Sequence, residues 1–389
     1  MNSLATKDII LFANSPGELA ALVKPACEAI QKEISQARVI LVLTPCQYAS
    51  GKEEDYAKNI LKIENVISAP NAWNWIIKNK KPDLKFGPHG AVIFLGGDLF
   101  YPTIIARRLD YPAIAYIQEH ISWTNRYSLF MVPDEKTFQR FAKGKIKDKI
   151  RWIGNLMVDS VGISEEEIKA KREKAILQYK LDPDKKIIAF MPGSKKFELE
   201  FMVPFFKEAA EKILSQRPDL QMVFSISAFC ELPSHLKNIL ANFPIIPQAQ
   251  EISDFVITIP GTNTAQLAVL GQPMLVVFPI NQADQIPLEG PAHLITSIPI
   301  LGKVIKHLIA RLVVNKKRFF ALPNIKAGRE IVPEIKGCLN PGQVVKSLMK
   351  IIDNKEALLS MKKDLKKSMG PAGAAQKLAI IVKEILEEK

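Results

Sequence analysis

A chain of 389 residues, 48% hydrophobic and 24% charged, is long enough for two cores, because single cores stop growing well below this size. Its cysteines, Cys27, Cys46, Cys230 and Cys338, share no CxxC spacing, which argues against a zinc site or disulfide framework and fits a reducing compartment. A formal charge of +13 calls for an anionic partner, while the lack of a signal sequence or of an uncharged apolar run of about 18 residues predicts a cytoplasmic protein that does not span a membrane.

From the N-terminus, the apolar runs IILFA (9–13), VILVL (39–43), AVIFLG (91–96) and AIAYI (113–117) alternate with helical patterns and predict buried parallel strands. The loop after the first run, FANSPGELAA (12–21), has Gly17 for a tight turn and Glu18 at the opening of a helix. There the carboxylate either caps the helix or meets a substrate. FLGGDLFYP (94–102) ends the third strand on two glycines, so Asp98 is expected to project as a general base, with a helix N-cap as the structural alternative. YIQEHISW (116–123) brings Glu119 and His120 to the next strand end, although a lone His is more often structural.

After IRWIGN (150–155) a charged helical stretch precedes a second series of strands: KIIAFMPGS (186–194), QMVFSIS (221–227), DFVITIPGT (254–262) and PMLVVFP (273–279). This alternation predicts two doubly wound Rossmann-like α/β domains facing a cleft, residues 1–160 and 161–389, the second ending in helices. One of those helices, NPGQVVKSLMKIID, opens with an Asn cap and a Pro.

Two strand ends of the second half have the chemistry of phosphate turns. In FMPGSKK (190–196) Gly193, Ser194 and Lys195 form a Gly-Ser turn with a cation, and backbone N–H groups there would cradle a diphosphate. In TIPGTNTAQ (258–266) Gly261, Thr262, Asn263 and Thr264 stand at a helix start, with Gln266 further along for a ribose hydroxyl. Capping explains one such turn, whereas two in tandem domains point to a nucleotide site.

Further on, IPILGKVIKHLIARLV (298–313) sets Leu301, Ile305, Leu308 and Leu312 on one helical face and cations on another, an amphipathic pattern suited to an anionic bilayer or, alternatively, to packing on the core. Eight Lys or Arg and no acid lie between Glu289 and Glu330. FALPNIKAGREIVPE (320–334) follows neither the strand nor the helix period and reads as an ordered loop.

These motifs resemble the lipid-A-disaccharide synthase family, GT-B glycosyltransferases that move a diacylglucosamine from UDP to a lipid-linked glucosamine phosphate. MPGSKKFELEFMVPFF resembles the family's Leu-Pro-Gly-Ser-Arg turn and Glu-rich helix, PGTNTAQLAVLGQPMLVV its Ser-Gly-Thr-Ala helix and Gly-Lys-Pro strand, and ALPNIKAGREIVPE its Leu-Pro-Asn-Leu-Leu-Ala-Gly-Arg-Glu segment. WIGNLMVDS (152–160) is similar to its interdomain strand. The sequence departs from the pattern where Lys195 and Gln266 replace an Arg and a Glu, and where NSPGEL shortens the N-terminal loop.

The resemblance implies inverting transfer by direct displacement. Asp98 is the expected base, with Glu18 and, from its place at a strand end and not from the resemblance, His120 on the catalytic side, and Lys195 and Arg329 would stabilise the leaving UDP together with the two glycine turns. Asn324 and Arg329 would touch the sugar nucleotide, and Glu330 would hold the loop. The implied substrate is a UDP-sugar, with no cofactor and no metal, and the implied partners are a lipid-linked acceptor and the inner face of the cytoplasmic membrane. A UDP-sugar 2-epimerase, which shares the GT-B architecture, and a non-catalytic binder of sugar nucleotide or lipid are the alternatives. Nucleic acid is not an expected partner, since few aromatic residues interleave the basic ones.

Overall fold

The computed structural model describes residues 7–46, 51–118, 120–161, 165–226, 231–281, 312, 314 and 316–387. They form two compact units, Met1–Gly162 with Gly370–Lys389, and Ile163–Met369.

The first unit holds β1 (Lys7–Ala13), β2 (Ala37–Leu43), β3 (Asn65–Ile67), β4 (Gly90–Phe94), β5 (Ala113–Tyr116), β6 (Leu129–Val132) and β7 (Ile150–Trp152). All pair in parallel, in the order β3-β2-β1-β4-β5-β6-β7. The second unit holds β8 (Lys186–Met191), β9 (Leu220–Phe224), β10 (Phe255–Thr258), β11 (Met274–Pro279) and β12 (Glu334–Gly337) in the parallel order β12-β11-β10-β8-β9. The unbroken apolar runs follow from this topology: a parallel sheet is covered on both faces, so both sides of each strand are buried. In β1, Ile9 through Ala13 are fully buried, with Ile10 in register with Ile40 and Val92. In the second core Phe190 stacks on Phe224 at 5.3 Å and meets Phe206 of the helix Lys196–Gln216 at 5.2 Å.

Charge is buried at the amino ends of the strands, away from the glycine turns. Asp8, fully buried, takes a forked pair of bonds from Arg38 (2.8 and 2.9 Å), the Gly87 N–H (2.7 Å) and the Tyr111 hydroxyl (3.2 Å). Such saturation is what a buried carboxylate requires.

Strand order reverses between β1 and β4 in one sheet and between β8 and β10 in the other. At such points the outgoing loops splay and leave room for a ligand beyond the carboxyl ends. The loops after these four strands are those singled out in the sequence.

Three features differ from the sequence reading. The strands β3 and β12, Asn-Val-Ile and Glu-Ile-Lys-Gly, carry no run of apolar residues long enough to mark them, and β6, a buried Leu-Phe-Met-Val run, is a strand that the sequence reading does not name. The segment 320–334 is regular in part: Leu322–Ala327 is a helix with Pro in its first turn and Gly328 in the left-handed conformation at its end. The second unit stops at Met369, because the helix Ala374–Glu387 packs on Lys24–Glu33 of the first unit. Leu378, Ala379 and Val382 are fully buried, and Asp159 accepts the N–H groups of Gly373 (2.6 Å) and Ala375 (2.7 Å) at the helix start.

Candidate functional site

At the end of β1, Ser15 caps the short helix Pro16–Glu18, and Glu18 folds back on the turn. Its Oε2 accepts the N–H groups of Asn14 (2.8 Å) and Ser15 (3.3 Å). The carboxylate lies against Gly96 after β4, where a Cβ would come within 2.0 Å of it, so only glycine fits. Burial pushes the Glu18 pKa upward, against the lowering effect of the turn N–H groups. Glu18 is therefore a cap, the structural of its two sequence readings.

Asp98 is in contrast exposed, immediately after the two glycines. Its Oδ1 accepts the Phe100 N–H at 2.8 Å at the head of the helix Phe100–Leu109, the contact that the capping alternative expects, while its exposure is what the base reading requires. Behind it the Tyr127 hydroxyl donates to the Leu99 carbonyl at 2.7 Å, and burial followed by the Asp98 charge drives the Tyr127 pKa up. Thr44, at the end of β2, is buried with a hydroxyl that has no hydrogen-bond partner among the described residues. No sequence motif pointed to it. His120 is exposed beyond β5, and Glu119 lies outside the described residues.

In the second unit the turn after β8 repeats the arrangement of Glu18. The N–H groups of Ser194 and Lys195 donate to Glu198 Oε2 at 2.9 and 3.0 Å, and the Lys195 Nζ lies 3.5 Å from Glu198 Oε1. Gly193 has φ +110°, and a Cβ on it would meet Glu198 at 2.4 Å. The donors expected to cradle a diphosphate thus hold the protein's own carboxylate, which corrects the sequence reading of that turn.

After β10 the donors divide. The Asn263 amide bonds the Thr258 hydroxyl and accepts the Thr264 N–H (3.1 Å). Thr264, fully buried, donates to the Gly261 carbonyl (2.8 Å) and accepts the Leu322 N–H (3.1 Å). These two side chains are spent on internal contacts. Gly261 and Thr262 remain exposed at the amino end of the helix Thr262–Leu270, with Gln266 half-buried further along.

The loop 320–334 also assigns its roles differently from expectation. Asn324 is fully buried; its amide donates to the Val332 carbonyl (2.8 Å) and Glu334 (2.7 Å) and accepts the N–H groups of Ile331 (2.6 Å) and Val332 (3.0 Å). All its hydrogen-bonding capacity is used, so it staples the loop and has none left for a sugar nucleotide. The carboxylate that holds the loop is Glu334, which also accepts the N–H groups of Phe320 (2.8 Å) and Ala321 (3.0 Å). Glu330 is exposed, and Arg329 pairs with Asp364 at 2.9 Å. Leu301, Ile305 and Leu308 lie outside the described residues, and Leu312 is half-exposed. Among the described residues no His, Cys, Asp and Glu group could hold a metal, and no helix is long and apolar enough to cross a membrane.

Comparison with known proteins adds the following. The sequence profile described as lipid-A-disaccharide synthetase matches residues 121–286. Lipid-A-disaccharide synthase 2 of Legionella pneumophila (strain Paris) is 26% identical over 250 residues, 61% of this chain and 57% of that protein. The Sulfurihydrogenibium lipid-A-disaccharide synthase is 24% identical over 278 residues, 66% and 63% of the two chains. The matched stretch therefore spans about three fifths of these relatives. Among solved structures, S. aureus MnaA with UDP has a TM-score of 0.60 at 14% identity, covering 98% of this chain and 97% of that one. UDP-GlcNAc 2-epimerase of Neisseria meningitidis has a TM-score of 0.59 at 14% identity, covering 99% and 100%. At such identity the likeness speaks for the fold alone: two Rossmann-like α/β domains of the GT-B type.

Proposed function

We propose that the chain is a divergent member of the lipid-A-disaccharide synthase family, which its similarity to that family supports, and that it transfers an acylglucosamine-type sugar from a UDP-sugar to a lipid-linked acceptor. The observation that carries this reading is Asp98, an exposed carboxylate held by a backbone N–H at the point where strand order reverses. A carboxylate held in one orientation suits a base that takes the acceptor hydroxyl's proton as the new glycosidic bond forms. For the leaving UDP, the exposed amino end of the helix Thr262–Leu270 offers N–H groups and a favourable dipole, with Lys195 and Arg329 as cations. The basic apolar sequence 298–313 supports docking at an anionic bilayer, where a lipid acceptor resides.

The test is UDP release from a panel of UDP-sugars, with and without a lipid acceptor. Release that depends on the acceptor is expected. Interconversion of the sugar without any acceptor would instead assign a 2-epimerase.

A further inference from the structure

The loop beyond Asp98 is faced by side chains that this mechanism leaves unused. Phe100 and Trp123 have ring centroids 4.6 Å apart, and the Arg126 guanidinium lies over both, 5.5 and 5.3 Å from their centres. Trp123 nevertheless keeps 43% of its surface exposed, and Arg126 is exposed too.

Trp123 also has φ +55°, a left-handed conformation that a bulky L residue rarely adopts. The surrounding structure imposes it. The Arg126 N–H closes a turn on the Trp123 carbonyl at 2.8 Å, and Lys149 Nζ donates to the carbonyls of Thr124 (3.3 Å) and Tyr127 (2.8 Å). Tyr127 in turn bonds Leu99, and Phe100 bonds Asp98, so this turn and the Asp98 carboxylate belong to one hydrogen-bonded assembly. A strained backbone held by its neighbours, carrying an indole that stays in solvent, is built for binding more than for packing. Two aromatic rings fix the guanidinium by cation–π attraction and leave its in-plane N–H edges to an oxyanion.

We propose that Phe100, Trp123 and Arg126 form a platform that positions the acceptor beside Asp98, with Arg126 pairing to an anionic, phosphate-type substituent and Trp123 lying along the apolar face of the sugar that bears it. The word acceptor rests on the transferase reading; the binding of a sugar phosphate does not.

Calorimetric titration of the full chain with glucosamine 1-phosphate, glucosamine, inorganic phosphate and UDP tests this. The sugar phosphate binds more tightly than glucosamine or inorganic phosphate. Arg126→Gln weakens the sugar phosphate about tenfold or more, through loss of a charge-assisted pair, and leaves glucosamine and UDP unchanged. Arg126→Lys restores only part of the loss, lacking the planar fork. Trp123→Asn weakens both sugars yet raises the melting temperature, because Asn tolerates the left-handed conformation; a structural tryptophan would lower it. Inorganic phosphate binding as tightly as the sugar phosphate, or wild-type affinity in Arg126→Gln, overturns the platform. So does a wild type that binds no sugar phosphate but loses anionic-vesicle binding on Trp123→Asn, which would make this a membrane surface. UDP binding without sugar-phosphate binding removes the platform and leaves the transferase, whereas the converse removes the transferase and leaves the platform.

Discussion

Glu18 and Glu198 stand in corresponding places, each following the first strand of its unit and each filling a turn with two N–H groups. The first is legible in the sequence as Ser15-x-x-Glu18, a capping-box spacing, whereas Lys195 at the matching position in the second hides the same geometry. The two carboxylates of the first site differ in what surrounds them, and two predictions follow from that difference. Burial raises the folded pKa of Glu18 above the ordinary 4.5, so between these values the folded state binds more protons than the unfolded chain. Stability should therefore be greatest below that range and fall as pH rises through it. Glu18→Gln, which keeps an acceptor for the turn, should flatten this part of a denaturation profile measured against pH. Asp98 is exposed and needs its charge for chemistry alone. Asp98→Asn should reduce turnover by about 10²-fold or more while calorimetry finds UDP affinity unchanged.

At the scale of the element, the segment 320–334 separates what a sequence can and cannot state. Its Pro323 and Gly328 mark the ends of a helix in hindsight, but six residues are fewer than two turns and give no period to read. The resemblance implies roles for Asn324 and Glu330 that the structure moves, because hydrogen bonding depends on which backbone groups the return to β12 brings near. Val332 and Glu334 reach the Asn324 amide only once β12 has paired with β11. Long strands such as β1 and β8 were legible because burial on both faces leaves a continuous apolar run. Asn324→Ala would strand the Ile331 and Val332 N–H groups in the interior, and urea denaturation should report a loss on the order of 3–5 kcal/mol. Arg329→Ala, which removes an exposed pair with Asp364, should cost about 1 kcal/mol or less.

At the scale of the whole molecule, the path of the chain matters more than the boundary near residue 160. Sequence order alone assigns the last helix to the unit it follows, because the apolar face of Ala374–Glu387 carries no mark of the surface it will cover. That surface is the helix Lys24–Glu33, and the return is fastened by Asp159 at the helix start and by Lys383 to Glu33 at 3.1 Å. The first unit is therefore closed only by the final segment, while the second is complete at Met369. Ending the chain after Met369 would strip from the helix Lys24–Glu33 the partner that Ala374–Glu387 provides in the full chain. Removing Leu378 and Val382 alone would forfeit about 1.5–3 kcal/mol for each of these fully buried side chains, a large part of the stability of a typical domain. Hydrogen exchange followed by mass spectrometry on the truncated chain should find protection lost across β1, the helix Lys24–Glu33 and β2, with β8 and β10 protected as before. Equal loss in β8 and β10 would mean that the two units fold as one cooperative body, and unchanged protection in β1 would mean that the last helix contributes nothing to its closure.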